Sequence, residues 1–159
     1  MEQNKDRYER FIQQICLSGA AWTLENDEGS VTTDSNEYEN EDGEAFALFC
    51  FWSGRREAAA CAIGEWAGYR PAEIPLGKLI EDWCVWMSDD EMLAGVEFDT
   101  DLVGIEQEPL QLVLDIANEL ERTKKQVHLD KFKHIDELTD IIKCLQEEAA
   151  GDETDEATR

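Results

Sequence analysis

Residues 47–66 read ALFCFWSGRREAAACAIGEW, and this stretch decides the fold that the sequence predicts. The run from Ala45 to Trp52 is apolar at every position, short and rich in aromatic residues. Such a run is typical of a strand that is covered on both faces. We therefore expect it to be the central strand of a sheet. A helix should follow from about Arg55 to Trp66, packed closely on that sheet through its small residues.

The turn between this strand and this helix is the one candidate binding site in the chain. Backbone N–H groups at the start of a helix attract anions, and serine is a natural helix cap. Two arginines follow directly, so we predict a small-anion site made of Ser53, Gly54, Arg55 and Arg56. The alternative interpretation is structural: Ser53 caps the helix, and the arginines pair with surrounding carboxylates.

The segments before the central strand predict a helix, a hairpin and a loop. Apolar residues recur at helical spacing from Tyr8 to Cys16, and Gly19 stands where a helix should stop. Strand-like runs at residues 22–24 and 30–33 flank a turn-prone tetrapeptide and predict a hairpin. Residues 34–45 are polar and acidic without an apolar period, which predicts a loop.

The segments after the central strand continue a mixed pattern. A second helix is expected to start at Pro75, with a stripe of Leu76, Leu79, Ile80, Trp83, Cys84 and Met87. A second hairpin is predicted from MLAGVEFD and LVGIEQ, and a third helix from Pro109 with a stripe of Leu112, Val113, Ile116, Ala117 and Leu120. The sequence thus predicts an α+β domain over residues 1–122, with a small, mostly antiparallel sheet covered by helices.

Residues 123–148 predict a C-terminal helical appendage, and residues 149–159 a disordered acidic tail. The helix carries a narrow apolar stripe of Ile135, Leu138, Ile142 and Leu145. A stripe of this width is typical either of a coiled-coil seam, which would make the protein a homo-oligomer, or of a helix that docks on its own domain. Trp86 lies off the stripe of its helix, and we expect it to be exposed as part of a contact surface with these residues.

The formal net charge of −24 restricts the classes of partner. Nine acidic residues lie between positions 25 and 44 without one basic residue among them. Such a surface repels phosphate backbones and anionic lipids, which argues against nucleic-acid and membrane binding and favours a basic protein partner. The sequence contains no run long enough to span a membrane. The five cysteines form no C-x-x-C pair and lie among apolar residues, as in a reduced cytoplasmic protein.

Most catalytic and cofactor chemistry finds no support in the sequence. The only histidines, His128 and His134, are six residues apart and so do not share a helical face as zinc ligands would. Calcium-loop spacing fails around both Gly43 and Gly104, and neither phosphate-binding glycine motif occurs. We therefore predict no catalytic residue, no metal site and no cofactor.

Three quoted segments resemble a family of small bacterial proteins known only as a domain of unknown function. They are RYERFIQQICLSGAAWTL, FWSGRREAAACAIGEWAGYRPAEIPLGKLIEDW and MLAGVEFDTDLVGIEQEP, within residues 7 to about 120. The resemblance implies a compact mixed α/β unit without an assigned activity, cofactor or catalytic residue.

Two functions from different classes follow from these patterns. The first is a non-enzymatic interaction or regulatory module that binds a basic partner. The second is a small-anion or metabolite-binding protein, with or without enzymatic activity, that uses the helix start at Ser53.

Overall fold

The computed structural model describes residues 2–39, 42–101 and 103–157. Its strands are β1 (Ala20–Asn26), β2 (Gly29–Ser30), β3 (Thr32–Glu39), β4 (Ala45–Phe51), β5 (Arg70–Pro75), β6 (Leu93–Val96) and β7 (Ile105–Gln107). Its α-helices are α1 (Glu2–Ser18), α2 (Arg55–Ala60), α3 (Leu76–Lys78), α4 (Cys84–Asp89), α5 (Pro109–Arg122) and α6 (Ile135–Ala157). A π-helical turn, Leu79–Trp83, joins α3 to α4, and a 3-10 turn spans Gly64–Trp66.

The strands form two sheets, and the predicted α+β class is confirmed. One sheet has the order β2-β1-β5 and is antiparallel throughout. The other has the order β3-β4-β6-β7, in which only β4 and β6 run parallel. The predicted central strand, β4, lies inside the second sheet between β3 and β6. Both predicted hairpins, β1–β2 and β6–β7, are confirmed.

The two sheets are joined at the end of β4 by one pair of backbone hydrogen bonds. The Trp22 N–H donates to the Trp52 carbonyl at 2.9 Å, and the Trp52 N–H donates to the Trp22 carbonyl at 2.7 Å. The hydroxyl of buried Thr23 donates to the Cys50 carbonyl at 2.7 Å. Trp52, the last residue of the apolar run and the first after β4, is therefore the point where both sheets meet.

The helix after β4 is shorter than predicted. It ends at Ala60, and Gly64 then adopts a left-handed backbone with φ +58° before the 3-10 turn. The residues up to Trp66 do not continue α2, because Ile63 is already extended, with φ −133° and ψ 165°, and the left-handed backbone that follows suits glycine. The turn still buries Trp66, whose ring meets Trp52 edge to face at 6.3 Å.

The prediction of a loop over residues 34–45 is wrong for its first half. Strand β3 continues to Glu39 and pairs antiparallel with β4, placing Asp34 opposite Ala47. The register shifts between Asp34 and Glu39, which is typical of a bulge. Pairing with the apolar neighbour supplies the backbone hydrogen bonds, so a polar composition alone does not prevent a strand here. Residues 40 and 41 lie outside the described residues.

The helical stripes predicted from spacing form the main core. Leu76, Leu79, Ile80, Cys84 and Met87 are buried, as are Leu112, Val113, Ile116 and Leu120 on α5. The π-helical turn shifts the helical register of the side chains by one residue, but the buried stripe after Pro75 stays continuous. A second core cluster lies around Trp52, with Leu24, Val31, Leu48, Cys50 and Phe98 among its buried members.

The C-terminal helix packs on the same core as the preceding helices. Ile135, Leu138 and Ile142 are buried together with Ile116 and Leu120 of α5. The helix also continues through Ala157, past residue 148, where the sequence predicts the start of a tail; residues 158 and 159 lie outside the described residues. Of the two interpretations of the apolar stripe, these contacts support the docking helix.

A buried carboxylate holds the connecting segment, residues 123–134, against the domain. Glu81 in the π-turn is only 2 % exposed and accepts the backbone N–H groups of Asp130 at 2.7 Å and Lys131 at 2.9 Å. Two ion pairs flank it, Lys78 with Asp130 at 2.6 Å and Lys131 with Asp82 at 2.7 Å. Burial strengthens the charge-assisted hydrogen bonds of Glu81, while the flanking pairs are more exposed and contribute less.

Gly77 lets the connecting segment approach this closely. A Cβ atom added at Gly77 would lie 2.1 Å from the His128 carbonyl oxygen, which is far inside van der Waals contact. The backbone of the segment therefore occupies the space that any other residue at position 77 would need.

We expect Gly77→Ala to destabilise the protein by about 1–3 kcal/mol despite alanine's better helix propensity, because the new methyl overlaps the His128 carbonyl. Urea unfolding of the full chain measures this. Gly68→Ala is the matched control, since a Cβ there meets nothing within 4 Å. Equal stability of the two variants would show that the segment does not pack on Gly77 as described.

The cysteines divide into four buried thiols and one exposed thiol. All five are free, and burial is the largest cause of the raised pKa of Cys16, to about 12, and of the raised pKa values of Cys50 and Cys84. Only Cys144, on α6, is exposed. The prediction that the cysteines are buried hydrophobes is thus confirmed for four of them.

We expect a water-soluble disulfide reagent to modify one thiol rapidly in the native protein and five in denaturant. Thiolate is the reactive form, and burial suppresses both its formation and its access to reagent. Cys144→Ser should remove the fast reaction. A second fast thiol in that variant would contradict the burial of the other four.

Candidate functional site

The predicted anion site at Ser53 is occupied by a carboxylate of the chain itself. Gly54, not Ser53, is the N-cap of α2, and no side chain caps this six-residue helix. The Ser53 N–H donates to Glu97 Oε1 at 2.5 Å, and the Ser53 side chain also hydrogen-bonds Glu97. The Ser53 N–H, which was predicted to bind an external anion, is therefore engaged with the Glu97 carboxylate.

Hydrogen bonds hold both the backbone and the carboxylate of Glu97. Its backbone has φ +54°, a left-handed conformation that is uncommon for a residue with a side chain. Its N–H donates to the Phe51 carbonyl at 2.9 Å, and its own carbonyl accepts a hydrogen bond from the Arg7 guanidinium. Burial raises the pKa of its carboxyl group, opposed by the Ser53 hydrogen bonds, which favour the charged form.

The two arginines of the predicted site lie apart from this carboxylate network. Arg55 and Arg56 are exposed, and neither takes part in an ion pair within the described part of the chain. The alternative prediction, that they pair with neighbouring acids, is not seen there. Among the described residues they are cations without an ion-pair partner.

The predicted partner surface separates into buried and exposed residues. Ile135, Leu138 and Ile142 are 8 %, 5 % and 1 % exposed, so they cannot form an external seam while α6 is docked. Leu145 on α6 and Trp86 on α4 remain half exposed. The prediction of an exposed Trp86 agrees with the structure.

Trp86 is the outer member of a chain of aromatic contacts. Its ring lies 6.3 Å from that of Trp83, which in turn meets Phe49 at 5.3 Å and Phe51 at 5.6 Å, both edge to face. Phe51 is fully buried, whereas Trp86 is 53 % exposed. The indole is therefore held from below while one side faces solvent.

Acidic residues surround the exposed indole. Asp89 and Asp90 are three and four positions after Trp86, so they share its helical face, and Glu91 follows in the turn with φ +57°. All three are exposed, and none enters an ion pair among the residues that the structure describes. We call Trp83, Trp86, Asp89, Asp90 and Glu91 the acidic–aromatic face.

A groove between α1 and α5 was not predicted from the sequence. It has a volume of about 520 Å³. Tyr8 donates to Asp115 Oδ2 at 2.5 Å, and Gln111 donates to Asp115 Oδ1 at 3.0 Å. Burial raises the pKa of the Tyr8 hydroxyl, so it stays protonated and donates. Tyr8 lies at an apolar position in the period of α1, so the sequence pattern does not show that its hydroxyl makes a hydrogen bond.

Two classes of site find no support in the described ranges. Within residues 2–39, 42–101 and 103–157, no three histidine, cysteine or acidic side chains come together as metal ligands would. No helix in these ranges is both long and apolar enough to cross a membrane.

A comparison with models of known protein families identifies the family of the chain. The family model described as a protein of unknown function, DUF2750, matches residues 8–116. The chain belongs to this family. The match confirms the resemblance over the domain and ends within α5, before the connecting segment and α6. No curated protein matches the chain, and no solved structure matches it.

We expect Glu97→Gln to change how stability depends on pH. A carboxyl group with a raised pKa favours folding most when it is protonated, and this contribution is lost as pH rises through its pKa in the folded protein. The wild type should therefore gain stability relative to the variant as pH falls through the interval just above 4.5, the ordinary value. Parallel profiles of unfolding free energy against pH would contradict this. Glu65→Gln, an exposed change, is the control.

Proposed function

We propose that this protein is a non-catalytic interaction module that binds a basic protein partner through the acidic–aromatic face. One observation carries the proposal: a half-exposed Trp86, supported from below by Trp83, lies on one helical face with two unpaired aspartates. An arginine or lysine of a partner would meet the indole ring and a carboxylate together.

The energetics of this arrangement favour arginine-rich partners. A cation over an exposed indole gains about 0.5–1 kcal/mol, and the gain increases as the contact loses water. Guanidinium groups stack on aromatic rings and bind carboxylates through two hydrogen bonds. Because Trp83 already holds Trp86, little side-chain entropy is lost when the partner docks.

The charge of the whole chain supports the same class of partner. With a net charge of −24, the chain attracts basic surfaces over distances set by the ionic strength and repels nucleic acids and anionic membranes. Its five free cysteines are those of a protein in a reducing compartment, and we infer a cytoplasmic location. Regulation of a basic partner by occlusion fits a protein with this surface.

The alternative function, a small-anion site at Ser53, has weaker support. Glu97 already accepts the Ser53 N–H, so an external anion would have to displace a carboxylate that is part of the fold. Only Arg55 and Arg56 remain available to it.

Titration calorimetry with an acetylated, amidated hexa-arginine peptide tests the proposal. Trp86→Ala should weaken binding about two- to fivefold, the equivalent of one exposed cation–π contact. Asp89→Asn with Asp90→Asn should weaken it further and reduce its dependence on salt.

Matched controls separate the face from general acidity. Ile63 is 54 % exposed, so Ile63→Ala removes a similarly exposed apolar side chain elsewhere, and Glu65→Gln removes one exposed charge. Both should bind like the wild type. If Trp86→Ala and Ile63→Ala bind the peptide equally well, the acidic–aromatic face is not the binding surface.

A further inference from the structure

The positive charge of this acidic chain is concentrated in one short segment. Between residues 124 and 134 the sequence places four lysines and both histidines with a single acid, Asp130. Two of these lysines are neutralised or engaged: Lys131 pairs with Asp82, and Lys125 reaches only the Leu17 carbonyl, at 3.5 Å. Lys124 and Lys133 enter no ion pair or side-chain hydrogen bond in the described part of the chain.

These free lysines line one cavity. It has a volume of about 370 Å³ and lies between the end of α5, the connecting segment and the start of α6. Its cationic wall is Lys124, Lys125, Lys133 and His134, and its apolar lining includes Leu120, Val127 and Ile135. Glu121 and Asp136 are the acidic residues of its lining. A cavity of this size and mixed lining is in the range of small-molecule sites.

The polar groups of the cavity are oriented for an acceptor. His134 Nδ1 accepts the Asp136 N–H at 3.1 Å and lies 3.4 Å from Asp136 Oδ2, so Nε2 is the ring nitrogen that can donate to a ligand. Two of the first backbone N–H groups of α6 are already used, since the Asp136 N–H donates to His134 Nδ1 and the Glu137 N–H donates to the His134 carbonyl at 3.1 Å. The side-chain donors of the cavity include the ammonium groups of Lys124 and Lys133 and the imidazole of His134.

Lys124 holds an unusual backbone position beside this cavity. It follows Thr123, the C-cap of α5, and has φ +56° at a position where helices commonly place glycine. The Lys124 N–H donates to the Glu121 carbonyl at 3.2 Å, and the Lys125 N–H to the Leu120 carbonyl at 2.9 Å, which closes the helix end. Position 124 thus carries a lysine side chain although glycine, which has none, would favour folding there.

We propose that this cavity binds a small organic phosphate, with the phosphate on Lys124, Lys133 and His134 and the apolar part of the molecule against Leu120, Val127 and Ile135. Ammonium groups bind phosphate as point charges, and several of them together discriminate a dianion from a monoanion. This site is separate from the acidic–aromatic face, and it lies beyond the family match, in the chain's own extension.

Binding of phenyl phosphate, inorganic phosphate and benzyl alcohol to the full chain, followed by amide and methyl NMR shifts, tests the proposal. Phenyl phosphate should saturate and bind more tightly than inorganic phosphate, because only phenyl phosphate also covers the apolar lining. Benzyl alcohol, which lacks the charge, should bind weakest. The absence of any saturable shift with phenyl phosphate would overturn the proposal.

One double variant and one control variant assign the site. Lys124→Gly combined with Lys133→Ala should weaken phenyl phosphate at least tenfold while unfolding at an equal or higher urea concentration, because glycine relieves the left-handed backbone at position 124. Lys143→Ala removes an exposed lysine of α6 that does not line the cavity, and it should leave affinity unchanged. If Lys143→Ala weakens binding as much as the double variant, the attraction is general charge and the site is wrong.

Discussion

The paired backbone hydrogen bonds between Trp22 and Trp52 hold the two sheets in one fold. Trp52 also anchors the layer beneath them, because its indole N–H donates to the Phe98 carbonyl at 2.9 Å, an oxygen that also accepts the Cys61 thiol at 3.2 Å. The turn that carries Glu97 and Phe98 is thereby fixed against the end of β4. A buried indole without this acceptor would leave an unsatisfied donor, so the strand end and the turn depend on each other.

The same turn explains why Ser53, the centre of the predicted anion site, makes a contact within the fold. The Ser53 N–H donates to a carboxylate of the chain itself. The oxyanion comes from Glu97, which is close in space and 44 positions away along the chain. Long-range partners of this kind leave no periodic signal, so a local pattern can identify the chemistry of a site without identifying its ligand.

The sequence predicted the elements whose apolar residues recur regularly, and it failed where backbone geometry or distant partners decide. The stripes of α5 and of the helical segment after Pro75 are strong and were correct, as were the two hairpins. After α2 the backbone is extended at Ile63 and left-handed at Gly64, a break that residue spacing does not show, and β3 depended on its pairing with β4. Trp86 was recognised because it breaks a stripe; the carboxylates beside it could not be singled out among 38 acids. The Tyr8–Asp115 contact joins distant helices and gave no signal.

Because Glu81 fixes the connecting segment to the domain, α6 behaves as a tethered ligand of its own domain. A docked helix on a short tether faces its groove at an effective concentration on the order of millimolar, whatever the concentration of the protein. Release and return of the helix are then first-order events, insensitive to dilution. Residues of the main core, Ile116 and Leu120 among them, owe part of their cover to α6, so local opening of this helix would expose them.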